Sequence, residues 1–436
     1  MRRRRTWRRP LRLAVGRRVR HYRAAVGERD VALLIGAGVV SEIGDWFNTI
    51  ALISLAYRFG DGALGVGGML AVRMLARLVF QGPAGSFVDR HSGRRLLFAI
   101  EVVMAVLAGS FALLAVAPRL WLLYGLLLLL EMATTVARPA FMVQVKAAAP
   151  LEHRAATNGL LFAGMTAGQA VGPLLGAFVL APLGVVPVFL VNGLTFLGIA
   201  ASVTQLGGGL SASSPRARDV ALTTAETTLQ TSTDAGEAVG YRWLLRRRDL
   251  SLYAVLSLCL ALLVQATIAL FIVRANALGL GDGGVGVFFA AVAVGSIAGG
   301  LVAGAGSPVD AGALYRSAVA MGLCAVALAA FGIASTVGLA VVALVAAGFT
   351  TDFHEVAALT YFQHRLPDAV YGRFFSLFLL ALSGGGLIGA LTGPALERAV
   401  GVGVALTVLA VPGLALSPVL ARASRLWRAI DTTSDD

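Results

Sequence analysis

The sequence predicts an all-α membrane protein with twelve transmembrane helices, arranged as two parallel-repeat six-helix bundles. Of the 436 residues, 58% are hydrophobic and only 14% are charged, whereas soluble domains carry about 25% charged residues. Apolar runs of about 18 residues or more, each long enough to cross a bilayer as a helix, recur along the chain. A pattern of glycines and prolines in the first half is also repeated in the second half.

Twelve apolar segments account for these runs. Alternating strand patterns do not accompany them, so helices are the expected spanning elements. The predicted spans are Val31–Tyr57, Ala63–Phe87, Leu96–Ala117, Leu120–Lys146, Ala156–Ala181, Val185–Gln205, Leu250–Ala277, Gly283–Ala305, Ala313–Ala334, Val337–Gln363, Val370–Val400 and Val402–Trp427.

Composition divides the chain into five regions. We predict a basic cytoplasmic arm at residues 1–29 and a six-helix bundle at residues 30–206. Residues 207–249 are rich in Gly, Ser, Thr and Ala and end in an amphipathic basic segment, which predicts a cytoplasmic linker. The second bundle is expected at residues 250–427, and residues 428–436 form a C-terminal tail.

The two bundles are related by an internal repeat. The residues Pro150, Gly172, Gly176 and Gly184 recur 217 residues later as Pro367, Gly389, Gly393 and Gly401. The pair Gly60-Asp61 before the second span is echoed by Gly281-Asp282 before the eighth. Because six spans per half is an even number, both halves have the same orientation, with a central cavity between them.

The net charge of +13 is concentrated in alternate connections and at both termini. This bias follows the positive-inside rule and predicts that both termini are cytoplasmic. The same basic residues are expected to contact anionic membrane lipids. Since they lie beside spans, nucleic acid is not an expected partner.

The first two spans carry polar residues near mid-membrane. Glu42, Asp45 and Asn48 are three residues apart on one face of the first span. Arg73 and Arg77 share one face of the second span, and an ionised acid at this depth requires a partner or water. We therefore expect the acids of span one to pair with the arginines of span two. The network serves either to fix helix register or to form a proton or substrate site.

Two further charged groups lie in spans four and ten. Glu131 and Arg138 are seven residues apart and share a helical face. Asp352, His354 and Glu355 fall within four residues of span ten, a density that packing alone does not explain. These groups are candidates for substrate binding or proton coupling.

Two motifs suggest how the helices pack and move. The fifth span carries small residues and a proline at spacings that allow close helix contact, namely Gly159, Gly168, Gly172, Pro173 and Gly176. The connection after the second span is a short charged turn that contains Gly85, Asp89, Arg90, Arg94 and Arg95. Neither catalytic nor metal-ligating patterns occur, so we expect no enzymatic activity, metal or cofactor.

These motifs resemble the major facilitator superfamily over about Arg29 to Arg428. The turn residues Gly85, Asp89, Arg90, Arg94 and Arg95 are similar to the signature between spans two and three, with Ser92 where the family has Gly. Gly159, Gly168, Gly172, Pro173 and Gly176 resemble the span-five motif of proton-driven antiporters. Ala177 replaces its final Gly. Ile43-Gly44-Asp45 and Arg138-Pro139-Ala140 are similar to residues of drug and siderophore exporters of the enterobactin-exporter and macrolide-efflux type.

The resemblance implies a monomeric exporter of the bacterial inner membrane that exchanges a small organic molecule for protons by alternating access. It also implies that the turn after span two acts as a conformational latch, with Asp89 near the start of span eleven. Two alternatives stay open, namely proton-coupled uptake of a small metabolite and a transport-inactive receptor or scaffold.

Overall fold

The computed structural model describes residues 27–91, 93–150, 153–207, 248–304, 312–366 and 368–432. Within these ranges the chain forms twelve long helices, which we number α1 to α12. They are α1 Arg29–Phe59, α2 Ala63–His91, α3 Arg94–Ser110, α4 Leu120–Ala148, α5 Arg154–Leu183, α6 Val185–Gln205, α7 Arg248–Ala269, α8 Gly284–Gly304, α9 Ala313–Ile333, α10 Val337–Arg365, α11 Asp368–Val400 and α12 Val402–Thr432.

Eleven of these helices are long and apolar enough to cross a membrane. The helix that is not among them is α1, which carries Glu42, Asp45 and Asn48 along its middle. Charged groups lower the hydropathy of a spanning segment. They are tolerated there when an ion-pair partner or water stabilises them. The polar residues of α1 are therefore candidates for a functional site.

Helix pairing repeats after six helices. In the first half α1 packs on α5 and α6, α2 packs on α4, and α3 packs on α6. In the second half α7 packs on α11 and α12, α8 packs on α10, and α9 packs on α12. The two sets meet where α2 packs on α11 and where α5 packs on α8. In the repeat α2 corresponds to α8 and α5 corresponds to α11, so the two contacts are equivalent.

The glycine repeat has a structural cause at two turns. Gly184 joins α5 to α6 with φ +73°, and Gly401 joins α11 to α12 with φ +80°. A side chain disfavours this left-handed region, and glycine does not. Each glycine lets one residue reverse the chain between two long helices.

The structure differs from the predicted spans at the end of α2 and within the seventh span. Helix α2 continues to His91 and α3 begins at Arg94, so most of the turn expected from Gly85 to Arg95 is helical. Arg90 and His91 lie in the last turn of α2, where positive charge favours the helix C-terminus. The predicted seventh span is broken at Leu270, after which a short helix, Phe271–Ala277, follows α7. The basic arm up to residue 26, most of the linker (208–247) and the end of the tail (433–436) lie outside the described residues.

Candidate functional site

A buried carboxylate on α4 holds two arginines of α2. The Glu131 side chain is 4% exposed, and its Oε1 accepts a hydrogen bond from Arg73 Nε at 2.6 Å. Its Oε2 accepts one from Arg77 Nε at 3.2 Å. Both carboxylate oxygens are therefore engaged by guanidinium groups, which are geometrically suited to carboxylates.

A second ion pair joins α4 to α1. Arg138 Nη2 donates to Glu42 Oε2 at 3.0 Å, and the indole of Trp46 donates to Glu42 Oε1 at 3.0 Å. The predicted pairing of Glu42 with the arginines of span two is therefore wrong, since its partner lies in span four. Glu131 and Arg138 lie on one face of α4, and α4 packs against both α1 and α2, so each of them reaches a different neighbour.

Asp45 and Asn48 lie beside these pairs on α1. Asp45 is half-buried and lies within electrostatic range of Glu42, Arg73 and Arg138. Thr49 links the helices, because its hydroxyl donates to the Asp45 backbone oxygen at 2.8 Å and accepts from Arg73 Nη1 at 3.3 Å. Asn48 is 3% exposed, and its Oδ1 has no hydrogen-bond partner within the described residues.

A central cavity of about 700 Å³ lies between the two sets of helices. Helices α2 and α4 form its wall on one side, and α7, α10 and α11 form the other. Its polar lining includes Arg77, Glu131, Arg138, His354 and Glu355. The ion pairs of α4 therefore face a space large enough for a small organic ligand.

The three residues of the span-ten group do not face the same space. His354 and Glu355 line the central cavity, whereas Asp352 does not line it and interacts with the Ser296 side chain on α8. His354 is 4% exposed, and its Nδ1 has no hydrogen-bond partner in the described part of the chain. Of the three, His354 and Glu355 are therefore placed to meet a ligand.

A second cavity, the side chamber, lies inside the first six helices and has a volume of about 290 Å³. Its lining contains Glu42, Asp45 and Arg138, and also Glu101 of α3, which is 2% exposed. We did not select Glu101 from the sequence. The available signal was a single acid in an otherwise apolar span.

The glycines of α5 form a strip against the polar segment of α1. A Cβ at Gly168 would lie 3.0 Å from Glu42 Cγ, and one at Gly172 would lie 2.6 Å from the Ile43 oxygen. A Cβ at Gly176 would lie 2.5 Å from the Phe47 oxygen.

The same motif touches the other half, where a Cβ at Gly286 of α8 would lie 2.6 Å from the Pro173 oxygen. Gly159, the first residue of the predicted motif, is exposed. The motif therefore sets the distance from α5 to α1 and to α8.

Two ion pairs cross between the halves where α1 and α11 end. Arg58 pairs with Asp282, which also accepts a hydrogen bond from Ser54 Oγ at 2.6 Å. Arg398 pairs with Asp61. The two aspartates are those of the repeated Gly-Asp sequence, and each is held by an arginine of the opposite half.

The residues of the predicted latch have separate positions. Arg90 and Arg95 are exposed, and Arg94 Nη1 donates to the Gly207 oxygen at 2.6 Å, just beyond the end of α6. Gly85 and Asp89 lie on α2, but the surroundings of the Asp89 side chain fall outside what the structure describes. The expected proximity of Asp89 to the start of α11 stays a prediction.

Comparison with known proteins gives the family. The model described as Major Facilitator Superfamily matches residues 34–390. The chain is 23% identical over 241 residues to the uncharacterized MFS-type transporter YfiS of Bacillus subtilis (strain 168), covering 54% of each protein. It is 27% identical over 161 residues to probable anion transporter 3, chloroplastic, of Oryza sativa subsp. japonica, covering 37% of this chain and 31% of that protein. The chain thus matches about half of one curated relative and a third of the other.

Solved structures agree with the helical arrangement. A bacterial homolog to the human lysosomal transporter Spinster, in an inward-facing and occupied conformation, matches with a TM-score of 0.67 at 13% identity, covering 93% of this chain and 96% of that chain. A POT family transporter in complex with a thioalcohol-conjugated peptide matches with a TM-score of 0.65 at 11% identity, covering 91% and 96%. With its twelve paired helices and the match over residues 34–390, the chain belongs to the Major Facilitator Superfamily and has the fold of that superfamily.

Proposed function

We propose that this protein is a transporter that exports a small organic molecule, such as a drug, a siderophore or a secondary metabolite, across the bacterial inner membrane in exchange for protons. Both termini would be cytoplasmic. The observation that carries the proposal is the Glu42–Arg138 pair, in which Glu42 lines the side chamber and Arg138 lines both the side chamber and the central cavity. A proton taken up by this carboxylate in the side chamber would release the guanidinium of Arg138, which can influence a ligand in the central cavity.

The mechanism would be alternating access of two bundles, residues 30–206 and 250–427, about the central cavity. Protonation of Glu42 removes the charge that holds Arg138, and protonation of Asp45 removes a second negative charge beside it. Glu355 would act similarly from the opposite wall. Exchange requires only that protons and substrate bind differently to the two conformations.

Replacing Asp45 with Asn tests the proton coupling. We expect Asp45→Asn proteoliposomes to lose substrate-dependent proton flux, because the amide cannot take up and release a proton at this position. Flux is measured with a pH-sensitive dye trapped in the vesicles, using a compound to which cells that overproduce the transporter become resistant. Glu28→Gln, at an exposed position before α1, should leave the flux unchanged. Unaltered flux in Asp45→Asn would remove Asp45 from the mechanism.

The main alternative to export is transport in the opposite direction, into the cell. Proton-coupled uptake would make cells that overproduce the transporter accumulate a labelled compound, whereas export would make them exclude it. A transport-inactive receptor would do neither. The charged lining of the central cavity, with Arg77, Glu131, Arg138 and Glu355, favours a transporter whose cargo contacts polar groups.

The ion pairs between the halves would hold one face closed. An exposed pair contributes at most about 1 kcal/mol, so neutralising both aspartates in Asp61→Asn/Asp282→Asn should shift the conformational equilibrium by several-fold, up to about thirtyfold. Spin labels on the two halves near these residues should then show a larger population of long distances. Arg119→Gln, which removes an exposed charge just before α4, is the matched control. Identical distance distributions in the double variant and the control would contradict this role.

A further inference from the structure

The side chamber contains more negative than positive side chains. Three carboxylates, of Glu42, Asp45 and Glu101, line it with one guanidinium, of Arg138, which is already paired with Glu42. Glu101 is 2% exposed, and its Oε2 has no hydrogen-bond partner among the residues that the structure describes. An unpaired carboxylate is costly to bury, so this chamber favours a positive charge brought by a ligand or by protons.

The arrangement does not fit a metal ion. No group of three acidic, histidine or cysteine side chains in the described residues is placed to hold one. Metal ions require several oxygen ligands at short, defined distances. A bulky organic cation spreads its charge over a larger surface and does not require such convergence.

The walls of the chamber fit an organic cation. Three methionines and two aromatic rings line it, namely Met104, Met142, Met165, Phe141 and Phe196. Aromatic faces attract cations and thioethers are polarisable and adaptable. A cavity of about 150 Å³ accommodates benzene, so about 290 Å³ admits an aromatic ring with an ammonium arm.

The chamber borders the central cavity. Thr134, Arg138 and Pro139 of α4 line both spaces. A molecule with its charged group beside Glu101 could therefore extend its apolar part past this segment of α4 into the central cavity.

We propose that the side chamber binds the positively charged group of a lipophilic organic cation, with Glu101 and Asp45 as its counter-charges. The inference rests on the proposed export function and names the substrate class. The remaining charged groups of the lining are Glu42 and Arg138, while α5 and α6 contribute apolar side chains such as Leu161, Met165, Phe196 and Ile199. Cation and protons would compete for the same carboxylates, which makes their exchange obligatory.

Calorimetry on the purified full-length transporter tests this site with benzyltrimethylammonium and its uncharged isostere neopentylbenzene. Glu101→Gln should weaken binding of the cation by about tenfold or more, since the counter-charge of its quaternary ammonium is lost, and should leave that of neopentylbenzene unchanged. Glu101→Asp should restore part of the loss. Glu397→Gln, which removes a carboxylate of α11 that lines neither cavity, should bind the cation as the natural chain does.

A measurement on the unaltered chain covers the case in which Glu101→Gln does not fold. Benzyltrimethylammonium should slow carbodiimide modification of Glu101, quantified by mass spectrometry, whereas benzenesulfonate should not. Equal cation binding in Glu101→Gln and the natural chain, or no protection of Glu101, would overturn the inference. If the cation binds and protects but no proton-coupled transport is found, the site stands and the proposed export function fails. If transport of a compound is found without cation binding, the inference alone fails.

Discussion

The Glu131→Gln variant should lose about 3 kcal/mol or more of stability, because removal of one partner from a buried ion pair leaves the other charge uncompensated. Arg73 carries most of this effect. Its side chain is 19% exposed, and its Nε lies 2.6 Å from the Glu131 carboxylate. The Arg77 side chain is 42% exposed and lines the central cavity, where water can replace part of the lost contact.

Thermal unfolding can be followed with a thiol-reactive dye, since Cys324 is fully buried and reacts only once its surroundings open. The unfolding midpoint of Glu131→Gln should lie well below that of the natural chain. The double variant Glu131→Gln/Arg73→Gln should recover part of the loss, because it also removes the unpaired cation. A double variant less stable than the single one would mean that Glu131 stabilises the fold by some means other than pairing with Arg73.

The Gly172→Leu variant should also be strongly impaired, in both stability and transport. A Cβ at this position would lie 2.6 Å from the Ile43 oxygen and 2.6 Å from Trp46 Cβ. Backbone cannot move aside as a flexible side chain can, so α1 must separate from α5. Overpacking of this kind costs about 1–3 kcal/mol. The displacement would also move Glu42, which lies on the contacting segment of α1.

Gly198→Leu on α6 is the matched control, since nothing lies within 4 Å of a Cβ there. It should change stability by about 0.5 kcal/mol or less. Gly172→Ala should fall between the two, because alanine adds only the clashing atom. Equal unfolding midpoints for Gly172→Leu and Gly198→Leu would show that the α1–α5 contact tolerates a larger separation.

The spanning helices could be predicted because each is encoded locally. An apolar run long enough for the bilayer defines a helix, and Gly184 and Gly401 mark the turns that require left-handed backbone. Which residues share a face of one helix could also be predicted, as with Glu131 and Arg138 on α4. The end of α2 could not be predicted, since its charged last turns stay helical to His91, inside the predicted turn.

Partners could not be predicted in the same way. The sequence indicates which residues share a face of one helix, but the residues that they contact depend on how neighbouring helices pack. Glu131 meets Arg73 and Arg77, 58 and 54 residues away in the chain, and Arg398 meets Asp61 over a separation of 337 residues. Glu101 was missed because no other charged residue lies in its predicted span, Leu96–Ala117. Only the packing of α3 against α4 and α6 brings it to the side chamber.

The two contacts between the halves are equivalent under the internal repeat, and this has a consequence for assembly. When α2 meets α11 and α5 meets α8, the contact has the self-complementary geometry of a twofold homodimer. Such a surface recognises its counterpart without a covalent tether. Two separately translated polypeptides, cut between residues 207 and 248, should therefore find each other in the bilayer and reconstitute the transporter.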